Sequence, residues 1–169
     1  TTKTKKIKNK KIPNSSLLIP NSSLLTMPDY SDRIRLRKQD EQMQIFDPIR
    51  GKWLVLTPEE WVRQNTIIYI ADTLEVPMTR IANEVTITYN GLTKRCDSII
   101  YDDYGKPLII IEYKRSDIQI TQRVFDQIAT YNMQLDVPYL IVSNGQQHIL
   151  CKVDLENKKY IFAQQWPKY

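Results

Sequence analysis

Residues Arg95–Lys114 read RCDSIIYDDYGKPLIIIEYK, and the way this stretch folds decides how the rest of the chain can be built. Asp97–Tyr101 is short and rich in β-branched residues. Leu108–Tyr113 is an apolar run with the length of a buried strand. Between them, Asp102-Asp103-Tyr104-Gly105 is turn chemistry, with Gly105 free to adopt positive φ. The stretch therefore predicts a β-hairpin. A two-residue loop at Tyr104-Gly105 pairs Asp103 with Lys106, and the same register sets Asp97 opposite Glu112. An odd loop or a bulge would displace that pairing by one residue. Glu112 and Lys114 are two apart and share a face, while Tyr113 points the other way.

One face thus gathers two carboxylates and an ammonium at the end of an apolar strand. Neighbouring carboxylates repel, which raises the cost of keeping both ionised. A divalent cation relieves that cost, and carboxylate and carbonyl oxygens suit Mg²⁺ or Mn²⁺. On this reading Asp97, Glu112 and the Tyr113 carbonyl are metal ligands, and Lys114 serves an attacking water or the charge on a phosphate. The same residues also describe an ordinary strand end with solvated charges and a salt bridge.

Working outward, Thr57–Leu74 predicts a helix. Thr57 suits the N-cap, Pro58 the first turn, and Glu60 completes a capping box. Trp61, Ile68 and Leu74 fall on its expected apolar side. Ile81–Tyr89 predicts a strand with Val85, Ile87 and Tyr89 on one face and Glu84, Thr86 and Thr88 on the other, followed by an Asn90-Gly91 turn. Thr121–Leu135 predicts a second helix, with Val124, Ile128, Tyr131 and Leu135 as its apolar stripe. Tyr139–Ser143 reads as a short buried strand. His148–Val153 and Tyr160–Ala163 read as a closing strand pair. Upstream, Ile34 and Leu36 alternate with Arg33, Arg35 and Arg37, and Ile45–Leu56 suggests a hairpin. The arginine stripe is either a solvated strand face or a phosphate-contacting patch. The resulting order, αβββαβ with extra strands at both ends, is that of an α/β domain with a mixed sheet flanked by helices.

The chain has 169 residues and a net charge of +5. That charge is unevenly spread. Residues 1–26 carry six lysines and no acid, leaving 18 basic against 19 acidic side chains in the remainder. The expectation is a disordered basic tail over 1–26, including a tandem IPNSSLL repeat, and a single near-neutral domain over 27–169. Met27 is a candidate native start. Any nucleic-acid affinity of the domain must then come from local patches. No apolar run reaches membrane-spanning length, and the N-terminal residues lack a signal-peptide core, so a cytoplasmic protein is expected. Cys96 and Cys151 lack zinc-finger spacing and are expected to be free, packed thiols. His148, the sole histidine, is expected to be structural or exposed. No phosphate-binding GxxxxGK[ST] loop is present, so no ATP motor is expected.

A family resemblance rests on four segments in order: LTPEEWVRQ at Leu56–Gln64, the hairpin above, FDQIATYN at Phe125–Asn132 and YLIVSNG at Tyr139–Gly145. Together they resemble the N-terminal nuclease domain of type I restriction enzyme R subunits, in the small stand-alone form, and through it the PD-(D/E)XK nuclease superfamily. Cys96 stands where the nominal motif has proline. The resemblance implies a restriction-endonuclease-like fold and metal-dependent DNA endonuclease activity, with Asp97, Glu112 and Lys114 as the D…ExK set. It also implies that Gln127 and Tyr131 match a QxxxY element. Gln127 would bond a water or phosphate oxygen, and Tyr131 would position it or touch DNA; Tyr131 also fits a core stripe. A first-helix glutamate, here Glu60, would approach the metal, although capping explains it equally. Arg63 would contact phosphate or pair with Glu59 or Glu60, and Glu84 would border the site or lie in solvent. DNA and other restriction-modification subunits are the implied partners. The alternative is a non-catalytic nuclease-fold module that binds DNA or protein.

Overall fold

The computed structural model describes residues 30–163 together with Gln165 and Trp166. The expectations for the basic tail, its repeat and Met27 lie outside the described residues. Three short strands come first: β1 (Leu36–Gln39), β2 (Gln42–Asp47) and β3 (Lys52–Val55), which pair in sequence order as an antiparallel sheet. Then follow α1 (Pro58–Thr73), β4 (Ile81–Tyr89), β5 (Leu92–Tyr101), β6 (Pro107–Tyr113), α2 (Gln122–Asn132), β7 (Tyr139–Ser143), β8 (His148–Asp154) and β9 (Lys159–Ala163). Strands β4 to β9 form a second sheet in sequence order. It is mixed because β6 and β7, joined through α2, run parallel while the other pairs are antiparallel. The expected αβββαβ order and mixed α/β class are both present.

The helices cover opposite faces of this sheet. On the α1 face, Val62, Ile67 and Ile70 pack against Ile100, Ile109, Ile111, Tyr113, Ile141 and Leu150. On the α2 face, Phe125 and Ala129 pack against Cys96, Ile99, Ile110, Leu140 and Val142. Strand β6 alternates between the two, so Tyr113 is buried toward α1 while Glu112 turns toward α2.

Thr57 caps α1 as read, but the Glu60 side chain turns to Arg63, Gln64 and Arg50 and does not close the expected capping box, and a threonine also caps α2. Thr57 Oγ1 accepts the Glu60 N–H at 3.1 Å, and Thr121 Oγ1 accepts that of Val124. Both predicted apolar sides are correct only in part. In α1 Ile68 is buried and Leu74 packs against the core as expected, but Val62, Ile67 and Ile70 make the main core contacts and Trp61 is only half-buried. The helix is enclosed on most sides, with Arg63, Gln64 and Thr66 also buried, so its apolar pattern carries little directional information. In α2 the stripe facing the sheet is Phe125, Ala129 and Asn132, continued by Leu135. Val124 and Tyr131 are rotated away from it and line a cleft, while Ile128 lines the same cleft and also packs against the core as expected. The ring of Phe125, seated against Tyr160 and Phe162, sets which stripe docks.

The hairpin also departs from the simplest reading. Its turn closes from Asp102 to Lys106, with the Asp102 N–H donating to the Lys106 carbonyl and Asp102 Oδ1 accepting from the Tyr104 and Lys106 N–H groups. That geometry is one residue out of step with the arms. A bulge between Ile100 and Tyr101 absorbs the difference, and the arms pair Ser98 with Ile111. The ladder ends at that rung; extended by one residue, the same register would set Asp97 opposite Glu112, the pairing expected from the sequence.

A second irregularity was not legible. Between β4 and β5 the ladder pairs Asn83 with Ser98 and Val85 with Cys96, skipping the Glu84–Asp97 rung. Glu84 has φ of 58°. Asn83 and Ser98 turn toward the α1 side, where they bond each other and the Tyr113 hydroxyl. Val85 and Cys96 pack on the α2 side. Both strands therefore exchange faces at one rung, and the left-handed backbone of a non-glycine residue is the strained point that allows it.

Candidate active site

Asp97 and Glu84 occupy that irregular rung, so neither carboxylate is committed to a sheet face. Asp97 Oδ2 accepts the N–H of Tyr113 at 2.9 Å, replacing a ladder bond where β5 and β6 part. Asp97 Oδ1 lies 3.9 Å from Arg63 Nη2. The Glu112 carboxylate, one residue before Tyr113, faces the opposite helix. Burial raises its pKa, and the nearby Asp97 charge adds to that, while Lys94 and Lys114 work in the other direction.

On the α2 face an open cleft of about 570 Å³ is lined by Glu112, Lys114, Gln127 and Tyr131, together with Glu59, Lys94, Ile118, Val124 and Ile128. Lys114 follows β6 directly and is tied down by its N–H donating to the Ser143 carbonyl at 2.8 Å. Gln127 and Tyr131 reach the cleft because they are one helical turn apart on the exposed side of α2. Four residues singled out from the sequence thus meet in one place, and Tyr131 lines the cleft with 41% of its surface exposed.

Lys94 was missed. Its ammonium is paired with Glu112, donates to Asn132 Oδ1 at 3.0 Å and lies 5.3 Å from the Tyr131 ring centroid. A signal existed. Lys94 sits two residues before Cys96 on one strand, and a packed Cys96 implies that Lys94 points to the same face. Burial pushes the Cys96 thiol up to about 11, so it is a neutral packing group beside these charges.

The other named residues form a separate cluster on the α1 face. Glu60 is buried and does not line the cleft. It accepts from Arg63 at 2.8 Å, Gln64 at 2.8 Å and Arg50 at 3.3 Å. Its neighbour Glu59 is the first-helix carboxylate at the cleft. Arg63 donates to Glu84 at 2.8 Å, and Arg95 also pairs with Glu84. Arg63 is thus a partner for Glu60 and Glu84 and sits against Asp97. Although burial opposes its charge, Glu60 and the other acids hold the guanidinium above its ordinary pKa. Behind it, Asp47 is clasped by Arg50 and accepts from Asn83 at 2.9 Å.

Among the described residues, no group of three or more His, Cys, Asp or Glu side chains is placed to hold a metal ion. A cation here would rest on the two carboxylates and main-chain oxygen. The donor chemistry suits a hard divalent ion. Asp97 and Glu112 are both oxygen donors, and Asp97 bonds the backbone of Tyr113. In extended chain the N–H and C=O of one residue leave on the same side. Both cysteines are free and buried, as expected. His148 is buried, its Nδ1 2.7 Å from Ser143 Oγ, which makes it structural. Among the described residues no helix is long and apolar enough to cross a membrane.

A family model described as the type I restriction enzyme R protein N terminus matches residues 58–167, from the start of α1 past the end of β9. No curated protein matches the chain.

Proposed function

Because the chain belongs to the type I restriction enzyme R protein N-terminus family, we propose that it is a metal-dependent DNA endonuclease of the PD-(D/E)XK type, with its site at the open end of β5 and β6. One observation carries the reading. Glu112, Lys114, Gln127 and Tyr131 converge on one cleft, with Asp97 just past the last paired rung and bonded to the Tyr113 N–H beside Glu112. The cleft is open enough to admit a phosphodiester backbone. Asp97, Glu112 and the Tyr113 carbonyl would hold Mg²⁺ or Mn²⁺, which when bound supplies positive charge against the phosphate. Lys114 orients the attacking water and offsets charge developing on the phosphate oxygens. Gln127 has donor and acceptor atoms for the same water or a phosphate oxygen. Tyr131 and Asn132 hold Lys94, and Lys94 offsets part of the burial cost of the Glu112 anion. Arg63 places Asp97 from behind, with Glu60 and Glu84 fixing its guanidinium. DNA is the substrate on this reading, and other restriction-modification subunits are the partners it implies.

The Lys94–Glu112 pair favours a second reading, a non-catalytic nuclease-fold module, because a lysine there already neutralises the carboxylate. The test is cleavage of plasmid and branched DNA with Mg²⁺ or Mn²⁺ by the wild type, Asp97→Ala and Lys114→Ala, with thermal melts on the same preparations. We expect metal-dependent cleavage by the wild type, its loss in Asp97→Ala, and a drop of roughly 10²-fold or more in Lys114→Ala. Lys114→Ala removes no core volume and should cost less than about 1 kcal/mol in stability. No cleavage by a folded wild type, with Lys114→Ala altering only affinity, would leave the binding module as the better account.

A further inference from the structure

The small N-terminal sheet lies outside the family match, and its two faces differ in character. The pairing of Arg37 with Gln44, Gln44 with Val55 and Phe46 with Trp53 sorts its side chains. Leu36, Ile45, Asp47 and Leu54 share the inner face, where Ile45 and Asp47 are fully buried. Arg35, Arg37, Gln44, Phe46, Trp53 and Val55 share the outer face. No acidic residue of the three strands falls on that outer face.

The outer face is a stacked array. The Arg35 guanidinium lies 4.3 Å from the Phe46 ring centroid and 5.4 Å from that of Trp53. Arg37 lies 4.4 Å from the Trp53 centroid, and its Nε donates to Gln44 at 2.7 Å. Phe46 and Trp53 meet edge to face at 5.3 Å. Both arginines are exposed, and neither forms an ion pair among the described residues. This contrasts with Arg50 and Arg63, each of which grips a carboxylate. Two guanidinium groups are therefore held against an aromatic pair, without counter-charge among the described residues.

We propose that this face binds single-stranded nucleic acid, its bases stacking on the arginine and aromatic planes and its phosphates meeting the uncompensated guanidinium charges. A duplex would offer the phosphates but not the faces of its bases, so the planar groups favour a single strand. The sheet is joined to the body that carries the cleft. Asp47 bonds Asn83, Asn83 bonds Ser98 at 2.6 Å, and the Tyr113 hydroxyl bonds Ser98 at 3.1 Å. A strand bound on the outer face would therefore be held by a platform anchored to the hairpin. The binding does not depend on cleavage.

The test is fluorescence anisotropy with the full chain in EDTA, which keeps cleavage out of the readout. The probes are a labelled oligodeoxythymidylate of about 12 nucleotides, within the usual span of such sites, and a duplex of equal length. Arg35→Gln with Arg37→Gln should weaken single-strand binding about tenfold or more and reduce the salt slope by roughly 1.4. Arg35→Lys with Arg37→Lys should retain the salt slope yet bind the single strand several-fold more weakly, because an ammonium has no plane. Trp53→Leu should weaken single-strand binding by about fivefold or more. Duplex affinity should fall clearly less than single-strand affinity in all three. Equal losses for single strand and duplex would reduce the face to a phosphate patch and overturn the proposal. Unchanged single-strand affinity in the two arginine double variants would overturn it as well. The arginines are exposed, so these variants keep the test informative even if Trp53→Leu folds poorly.

Discussion

The two faces of the six-stranded sheet each carry a charged cluster, and the clusters are built from different cations. On the α1 face the carboxylates Asp47, Glu60 and Glu84 are gripped by Arg50, Arg63 and Arg95. On the α2 face Glu112 meets Lys94, with Lys114 beside it in the cleft. Arginine presents a planar fork that fixes direction, whereas lysine is a point charge on a flexible stem. The difference is visible in the ionisation of each side. The α1 acids hold Arg63 firmly charged against its burial. Bonds from Asn83 and Arg50 likewise keep the Asp47 carboxyl below its ordinary range, although burial works against this. Glu112, with lysines for neighbours, is still left above the usual glutamate range by burial. The arginine cluster is framework, while at the lysine cluster the proposed function would have a metal ion take the place of Lys94 beside Glu112.

The largest expected effect breaks the framework side. Arg63→Ala leaves Glu60 buried without its closest cation and Glu84 without its buried one, which should cost about 3–5 kcal/mol in denaturant unfolding. Adding Glu60→Gln should recover part of that loss. A cost under about 1 kcal/mol would show that Arg50 and Arg95 suffice, and the contrast between the faces would fall.

A second test probes how dry the α1 face is. His148 shares that face with Leu150, and burial lowers its pKa to about 4. The unfolded chain then binds a proton near pH 6.5 that the folded state refuses, so stability falls as pH drops from there toward 4. Between pH 7 and 5 the wild type should lose about 2 kcal/mol that His148→Gln does not. Asp47, with its lowered pKa, loses its contribution only at more acid pH, so the two windows separate. Parallel limbs for wild type and variant would mean that water reaches the imidazole.

The smallest effect is a displacement along the pH axis. Lys94→Met removes the strongest influence that favours the Glu112 anion, so the Glu112 carboxyl should titrate at higher pH by NMR. With burial opposing ionisation in both proteins, the direction is upward. An unmoved titration would assign the control of Glu112 to burial and Asp97 alone, and would sharpen the case for Lys114 as its working cation.

Much of this arrangement was legible in the residues, and the misses share one cause. Thr57 was read correctly as a cap because a cap is a contact across three residues. Glu60 was read as part of that cap because its partners lie elsewhere: Arg50 is ten positions away, and Arg63 reaches on to Glu84 across 21. In α2, two stripes one position apart, Val124–Ile128–Tyr131 and Phe125–Ala129–Asn132, are both credible by periodicity. Only the fit of Phe125 beside Tyr160 and Phe162 chooses between them. That choice decides between the two readings of Tyr131, core stripe or site residue, in favour of the cleft.

By itself the sequence determined most of the strands and helices, the register of the hairpin arms, the shared face of Glu112 and Lys114, and the family. These follow from backbone periodicity, turn chemistry and caps, all of which act over a few residues. The tertiary structure decided the rest. It set Lys94 on Glu112 across 18 positions and Asp47 on Asn83 across 36. It placed Glu59 rather than Glu60 at the cleft, and it turned both strands over at the Glu84–Asp97 rung. Buried charges take whichever partners the packed elements bring within reach, and a strained residue is held only by the structure around it. Neither leaves a periodic trace in the chain.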